Sequence, residues 1–437
     1  MQIPYKILSL DGGGTWALLQ VLTLQELFKK KFPNRVVRGH EVLKHFDLVI
    51  GTSGGSMVIA ALACNWTFDE IIAIFDDASK RGEIFKKLSF RERYFPLNFM
   101  HLFKVKSIGT RYSTTHKKKA LEDLLVLDNG KKLVDISLSE LPEVIGKMSL
   151  DIIITTFDIK NKRAKFFRSN KSSKARAEII AGHSNFDETN LVTAIHGSSN
   201  APVNYFDFPA VLKPKQTNRR YYLWDGALGG FNNPVMAGIT EALANGVSRN
   251  AIRVLSIGTA SKVASKEDGI LFRDTYYKTL LGRKLRYKNS GAIDFKKTKQ
   301  KRGFSRLFKG ATLFTDALSN LSKSILFEPQ TWATYSAYIH LFADTIDAKE
   351  NHQRFVRFSP QIWVDENASP LLKRLYTLDM DVTAQNEIED LKDCFSSWKD
   401  GVIANEPIQW TKTIDEEYIY AKGHKTFNEA LEAIDWL

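Results

Sequence analysis

Short apolar runs alternate along the chain with longer stretches in which apolar residues recur every three or four positions. The runs at 5–10, 46–50 and 150–159 are apolar almost throughout, which is typical of strands buried on both faces. Residues 15–32 instead have helical spacing and end in lysines that suit a helix C-terminus. The same two patterns predict further strands at 220–224, 251–260 and 355–360, and further helices at 54–64, 191–206, 234–245 and 381–402.

This alternation predicts an α/β fold in three layers, with a mostly parallel central sheet and helices on both of its faces. Ligands of such sheets bind beyond the carboxyl ends of the strands. Glycine-rich turns follow three of the predicted strands: "DGGG" at 11–14, "GTSGG" at 51–55 and "DGALGG" at 225–230. We therefore expect the functional residues in these turns.

The length of 437 residues allows two or three domains. We predict an α/β core over 1–262 and a basic insertion or cap over 263–345. Residues 346–400 are predicted to return to the core and to add a C-terminal helical region. Residues 401–437 form a C-terminal extension whose mixed pattern predicts no structure.

Composition favours a globular protein of the cytoplasm. Hydrophobic residues make up 43% and charged residues 25% of the chain, and the apolar runs are far shorter than a membrane span. The first residues lack the pattern of a signal peptide. The two cysteines, Cys64 and Cys394, lie too far apart to suggest a zinc site and are too few for a disulfide framework.

The formal net charge of +13 favours anionic partners. Lysines and arginines are dense between Lys278 and Lys309, where Asp294 is the one acid and phenylalanines are interleaved. This segment suits peripheral contact with an anionic membrane, such as the inner membrane of a bacterium. A solvated loop and a phosphate-binding patch for a nucleotide or nucleic acid remain alternatives. We expect no specific nucleic acid partner.

Ser53 lies at the centre of the second glycine-rich turn. Gly51 and Gly55 flank it at minus two and plus two, which is the G-x-S-x-G spacing of a nucleophile held on a sharp strand-to-helix turn. The glycines avoid clashes that such a turn would force on larger residues. A tight turn with glycines for packing alone is the alternative interpretation.

The first turn, with Gly12, Gly13 and Gly14, fits two chemistries. Gly12, Gly14 and Ala17 match the dinucleotide fingerprint G-x-G-x-x-A, but the second predicted strand lacks the acidic residue that binds ribose. Consecutive backbone N–H groups of the three glycines would instead form an oxyanion hole. A simple tight turn is the third interpretation.

A nucleophilic serine needs a base, and none of the nine histidines lies in a glycine-rich turn after a strand. His183 and His196 are the least implausible of them. Asp225 is better placed, between the predicted strand at 220–224 and the third turn. A desolvated carboxylate bonded to a serine can act as the base, although Asp-Gly is also a common turn pair.

Together these residues resemble the patatin-like phospholipase family. Its three ordered motifs correspond here to "DGGG", "GTSGG" and "DGA" at 225–227, and the flanking stretches "SSNAPVNYF", "NNP" and "LSIGTA" are also similar. The likeness is strong over about 1–260 and weak over 350–400. It implies a patatin-like three-layer fold.

The resemblance also implies a Ser–Asp dyad without a metal or other cofactor, in which Ser53 is the nucleophile and Asp225 the base. The reaction would be phospholipase A-type hydrolysis of the fatty acyl esters of membrane phospholipids. Some short cytoplasmic relatives in bacteria are antiphage effectors switched on by cyclic nucleotides, so a cyclic nucleotide activator is a further expectation. A non-enzymatic binding or storage protein on the same fold is the alternative.

The chain departs from the family pattern at Trp16 and Ala17, where an Arg or Lys and then a Gly are usual. The backbone donors of the turn survive this change, but a cation beside them is lost. Trp16 either lines an acyl-chain channel or packs within the helix that follows the turn.

Overall fold

The computed structural model describes residues 3–89, 110–170, 189–202, 205–213, 220–264, 274–278, 284–288, 329–345, 348, 350–365, 367–412 and 418–437. Its strands are β1 Tyr5–Leu10, β2 Leu48–Gly51, β3 Asp151–Asp158, β4 Arg163–Arg168, β5 Ala210–Leu212, β6 Tyr221–Asp225, β7 Ile252–Ile257, β8 Ser261–Ala264, β9 Asp274–Lys278, β10 Lys284–Lys288, β11 Phe355–Phe358, β12 Gln361–Val364, β13 Gln409–Lys412 and β14 Tyr418–Lys422.

The α-helices are α1 Leu18–Lys31, α2 Gly39–Lys44, α3 Ser53–Ala63, α4 Phe68–Asp76, α5 Ala78–Ile84, α6 Thr114–Leu124, α7 Leu141–Ile145, α8 Leu191–Ser198, α9 Val235–Ala244, α10 Pro329–Phe342, α11 Asn351–Arg354, α12 Pro370–Thr377, α13 Gln385–Lys399 and α14 Phe427–Ala433. Short 3₁₀ turns precede α1 and follow β6, at Gly14–Ala17 and Gly226–Gly229.

A central sheet organises the protein, with the strand order β11-β7-β1-β2-β3-β6-β5 and with β4 also paired to β3. The strands from β11 to β3 are mutually parallel, whereas β4, β5 and β6 enter through antiparallel pairs. The predicted α/β fold with a mostly parallel sheet is therefore confirmed.

Both faces of the sheet are covered by helices, which confirms the three layers. Alternate residues of β1 point to opposite faces, so Leu8 packs in one hydrophobic cluster with α1 and α3 while Ile7 packs in another. The second cluster contains Ile239 of α9 and Tyr338 of α10. The apolar runs of the sequence reflect this burial on two sides.

The direction of β6 is opposite to that of the parallel strands of the sheet. β6 runs antiparallel to β3, with Asp225 opposite Thr156. Gly51, at the end of β2, is opposite Ile154 of the same strand. The carboxyl ends of β2 and β6 therefore meet at nearly one level of β3, although the two strands point in opposite directions.

The predicted insertion at 263–345 is described in part. It contains the antiparallel pair β9–β10 and helix α10, whose Ala337 and Tyr338 pack against the sheet. The basic residues at 296–309 lie outside the described residues. Beyond this segment the chain returns to the sheet, where β11 pairs in parallel with β7. Across the described ranges, no helix is both long and apolar enough to cross a membrane.

Truncating Ile239 tests the second hydrophobic cluster. Ile239 is fully buried between α9 and the sheet, so Ile239→Ala should lower the free energy of unfolding by about 2–5 kcal/mol. Met148→Ala is the control, because Met148 is 75% exposed and should change stability by less than about 0.5 kcal/mol. Urea unfolding followed by tryptophan fluorescence measures both variants. Equal stability of the two would contradict the layered packing.

Candidate active site

Ser53 lies on a sharp turn between strand and helix. β2 ends at Gly51 and α3 begins at Ser53, whose φ of 48° lies in the left-handed region that residues with a Cβ avoid. A Cβ at Gly51 would lie 2.7 Å from Cδ1 of Ile59, and one at Gly55 would lie 2.4 Å from the carbonyl oxygen of Leu10. The turn therefore has no room for a side chain on either side of Ser53.

Asp225 lies beside this turn and is only 2% exposed. Its Oδ1 accepts the backbone N–H of Ala227 at 2.9 Å. Burial raises the pKa of Asp225 to about 6, while the nearby Ser53 side chain, the N–H of Ala227 and the charge of Lys117 oppose this rise. A carboxylate with this pKa is suited to accept a proton from the serine near neutral pH.

The first glycine-rich turn packs directly against Ser53. A Cβ at Gly12 would lie 3.2 Å from Cβ of Ser53, and one at Gly54 would lie 2.4 Å from the carbonyl oxygen of Gly14. The N–H of Gly12 already donates to the carbonyl of Asn232 at 2.8 Å. Within the described residues, no hydrogen bond engages the N–H groups of Gly13 and Gly14. The N–H groups of Gly13 and Gly14 are therefore the candidate donors of hydrogen bonds to an oxyanion.

A buried ion cluster holds the start of this turn. Nη2 of Arg357, on β11, lies 2.6 Å from Oδ2 of Asp11 and 3.1 Å from Oε2 of Glu406, and Nη1 donates to the hydroxyl of Ser256. All three charged side chains are at most 1% exposed. Thr259 adds a bond from its hydroxyl to the carbonyl of Gly12, at 2.7 Å.

The end of α8 and the residues after it accept hydrogen bonds from the backbone of both predicted site residues. The hydroxyl of Ser198 accepts the N–H of Ser53 at 2.9 Å. The carbonyl of Asn200 accepts the N–H of Asp225 at 3.1 Å. Sequence reasoning noted this stretch only as a flanking motif, because nothing in its pattern shows what its polar groups contact.

An apolar cavity of about 80 Å³ opens next to the serine turn. Gly14 and Gly54 line it beside Ser53. Aliphatic and aromatic side chains from α3, α4 and α8 form its walls, among them Met57, Val58, Ile74, Phe75 and Ile195. The cavity has the apolar lining that a hydrocarbon chain requires.

Trp16 does not line this cavity. Its indole Nε1 donates to the carbonyl of Asp379 at 3.0 Å, and Nζ of Lys262 lies 4.6 Å from the centre of its ring. Ala17 does line the cavity. Trp16 therefore packs between the turn and a late loop of the chain. The ammonium group of Lys262 lies beside its ring.

The histidines that the structure describes lie elsewhere or serve other contacts. The ring of His196 is buried, and burial with the neighbouring charges of Lys117 and Lys118 holds its pKa well below the usual value. Across the part of the chain that the structure describes, no hydrogen bond joins a histidine ring to Ser53. His183 lies outside the described residues. Nor do the described residues bring together three side chains of the types that ligate metals.

Crowding at Gly55 gives a stability test that is independent of activity. Gly55→Ala should destabilise the protein by about 1–3 kcal/mol, because the new methyl would overlap the backbone of Leu10 and Asp11. Gly82→Ala is the matched control. Gly82 lies inside α5 with nothing within 4 Å of an added Cβ, so its replacement should stabilise by about 0.4–1 kcal/mol. Thermal unfolding of both variants provides the measurement, and a neutral Gly55→Ala would contradict the close packing.

Comparison with known proteins places this geometry in a family. A protein from Pseudomonas aeruginosa named cGAMP-activated phospholipase is 26% identical over 270 residues, which cover 61% of this chain and 65% of that protein. A protein of the same name from Vibrio cholerae serotype O1 is 22% identical over 63% of this chain and 70% of its own length. Phospholipase A I of Arabidopsis thaliana is 24% identical over 60% of this chain.

The chain spans 65% of the Pseudomonas protein and 21% of the Arabidopsis protein. A family model described as patatin-like phospholipase matches residues 8–239, more than half of the chain, and this range includes all three glycine-rich turns. The chain belongs to the patatin-like phospholipase family.

Proposed function

We propose that this protein is a lipid acyl hydrolase of the phospholipase A type, which cleaves the fatty acyl esters of membrane phospholipids. The observation that carries this proposal is that Ser53, held with a positive φ on a strand-to-helix turn next to an apolar cavity, lies close enough to the buried Asp225 carboxyl to influence its pKa. The family and the named relatives support the same chemistry. The fatty acyl chain would occupy the cavity, with its ester carbonyl beside Ser53.

In the first half of the reaction, Asp225 accepts the proton of Ser53 as Oγ attacks the ester carbonyl. Negative charge develops on the carbonyl oxygen, where the N–H groups of Gly13 and Gly14 would stabilise it. The C–O bond to the lysolipid then breaks, and the leaving oxygen takes the proton from Asp225. The product of this half is an acyl ester on Ser53.

In the second half, Asp225 accepts a proton from water as the water oxygen attacks the acyl-serine carbonyl. The same N–H groups would stabilise the second oxyanion. Collapse of this intermediate releases the fatty acid, and the proton returns from Asp225 to Oγ of Ser53. One carboxylate thus acts as base and acid in both halves, without a histidine.

Regulation by a cyclic nucleotide is part of the proposal. It is supported by the names of the Pseudomonas and Vibrio relatives, both cGAMP-activated phospholipases, and by the length over which this chain matches them. Such an enzyme would degrade membrane lipid in antiphage defence only after the nucleotide is made. Fatty acid release from phospholipid vesicles with and without cGAMP tests activation directly.

Removing either member of the Ser–Asp pair should abolish hydrolysis. Ser53→Ala should release no fatty acid from phosphatidylglycerol vesicles and should not be labelled by a fluorophosphonate. Asp225→Asn should lower the rate of release by about 10²–10⁴, because the base is lost while the serine remains.

Asp128→Asn is the control for these variants, since Asp128 is exposed and has surface partners, Nη1 of Arg38 at 3.7 Å and Nδ2 of Asn65 at 2.6 Å. It should release fatty acid at the wild-type rate. Folding of each variant is checked by thermal unfolding. If folded Ser53→Ala binds lipid and the wild type releases no fatty acid with or without cGAMP, the protein is a binding protein on this fold.

The pH dependence of hydrolysis should report the burial of Asp225. Burial raises the pKa of this carboxyl from 3.8 to about 6, so the protonated, inactive form accumulates as the pH falls through that value. We expect kcat/KM to fall about tenfold per pH unit below the pKa and to level off above it. Initial rates between pH 4.5 and 8.5 measure this acid limb of the pH profile, in which kcat/KM falls as the pH falls. An acid limb centred near pH 4 would show that the base is a solvated carboxylate instead.

A further inference from the structure

Lys117 is a buried cation that the proposed reaction does not use. It lies on α6 and is fully buried, unlike its neighbour Lys118. Its Nζ donates to the carbonyl of His196 at 3.1 Å and to the hydroxyl of Ser199 at 3.3 Å, and it lies 4.0 Å from the centre of the Phe206 ring. A lysine in such a place needs these partners, because an unpaired buried charge is very costly.

These partners belong to the segment that holds the two reacting side chains. Residues 196–200 follow one another at the end of α8, where Lys117 binds His196 and Ser199. Ser198, between them, accepts the N–H of Ser53, and the carbonyl of Asn200 accepts the N–H of Asp225. The ammonium group therefore bonds to the short stretch of chain that also contacts the backbone N–H groups of Ser53 and Asp225.

The charges that face Lys117 come from several elements. Asp225 of β6 and Asp207, before β5, both favour the ammonium form, and burial opposes it and lowers the pKa of Lys117. His196 of α8 is buried and held neutral, and Lys118 of α6 points to solvent. In return, the positive charge of Lys117 favours the carboxylate form of Asp225.

We propose that Lys117 is a positioning residue of the Ser53–Asp225 pair, which anchors residues 196–200 and supplies the positive charge that keeps Asp225 deprotonated. This inference rests on the function proposed above. It assigns Lys117 two separable roles, one through its hydrogen bonds and one through its charge. Neither role requires contact with the lipid.

Two substitutions separate these roles. Lys117→Gln keeps a donor for the 196–200 segment but removes the charge, whereas Lys117→Met removes both. The matched control is Lys118→Met, which removes a charge from the solvent side of the same helix. The measurement is the second-order rate constant for fluorophosphonate labelling of Ser53 between pH 4.5 and 8.5, together with thermal unfolding of each variant.

Loss of the charge should raise the pKa of Asp225, because the carboxylate loses a favourable partner. We expect the acid limb of labelling to move to higher pH in both Lys117 variants. The plateau at high pH should fall further in Lys117→Met than in Lys117→Gln, since only Met leaves the carbonyl of His196 without a donor. Lys118→Met should keep the wild-type limb and plateau.

A Lys117→Gln protein that folds and keeps the wild-type limb would overturn the charge role. Equal plateaus for Gln, Met and wild type would overturn the anchoring role. If Lys117→Met does not fold while Lys117→Gln does, the need for a donor to residues 196–200 supports the anchoring role, and the limb of Lys117→Gln against that of Lys118→Met decides the charge role. Failure of the proposed function has a different result, because wild type and Ser53→Ala would then be labelled equally at every pH.

Discussion

The site depends on the close approach of two backbone turns, which follow the carboxyl ends of the central strands β1 and β2. A Cβ at Gly54 would lie 2.4 Å from the carbonyl oxygen of Gly14, and one at Gly55 would lie 2.4 Å from that of Leu10. Helix α3 can begin this close to β1 only because these positions lack side chains. The same crowding accompanies the positive φ of Ser53 on a turn that lies beside Asp225.

A buried ion cluster supports the first turn, and with it the close contact between the two turns. Arg357 bonds Asp11 and Glu406 in the interior, where removal of Arg357 would leave two buried carboxylates without a cation. Arg357 reaches this place because β11 pairs in parallel with β7, which itself pairs with β1. Part of the chain more than 300 residues from Asp11 thus supports the turn that Asp11 begins.

The sequence predicted those features that short patterns encode. Apolar runs and helical spacing located β1, β2 and β3 and the helices α1 and α3, since burial on two faces leaves a visible pattern, whereas β4 was not predicted. The turn around Ser53 could be predicted because strain and crowding demand glycine at fixed spacing. The proposed pairing of Ser53 with Asp225 came from ordered motifs, whereas their spacing in the structure comes from the register of β6 on β3.

Features that depend on distant contacts could not be predicted in this way. The antiparallel direction of β6 leaves no periodic signal, because a short buried strand has the same composition in either direction. Lys117 lies in the run "KKK", which has the composition of a solvated helix face, and only its packing against α8 and Phe206 shows that it is buried. The ligands of Arg357 likewise become visible only when the sheet is assembled.

A late loop of the chain completes the surroundings of the first turn. The carbonyl of Met380 accepts the N–H of Thr15 at 2.9 Å, and that of Asp379 accepts the indole N–H of Trp16. Arg111 in turn pairs with the carboxylates on both sides of Met380, at 3.5 Å for Asp379 and 3.0 Å for Asp381. Since these bonds satisfy donors of the turn that carries Gly13 and Gly14, the late loop fixes the orientation of the candidate oxyanion donors. Residues from both ends of the fold, from β1 to the loop before α13, therefore contribute to the site.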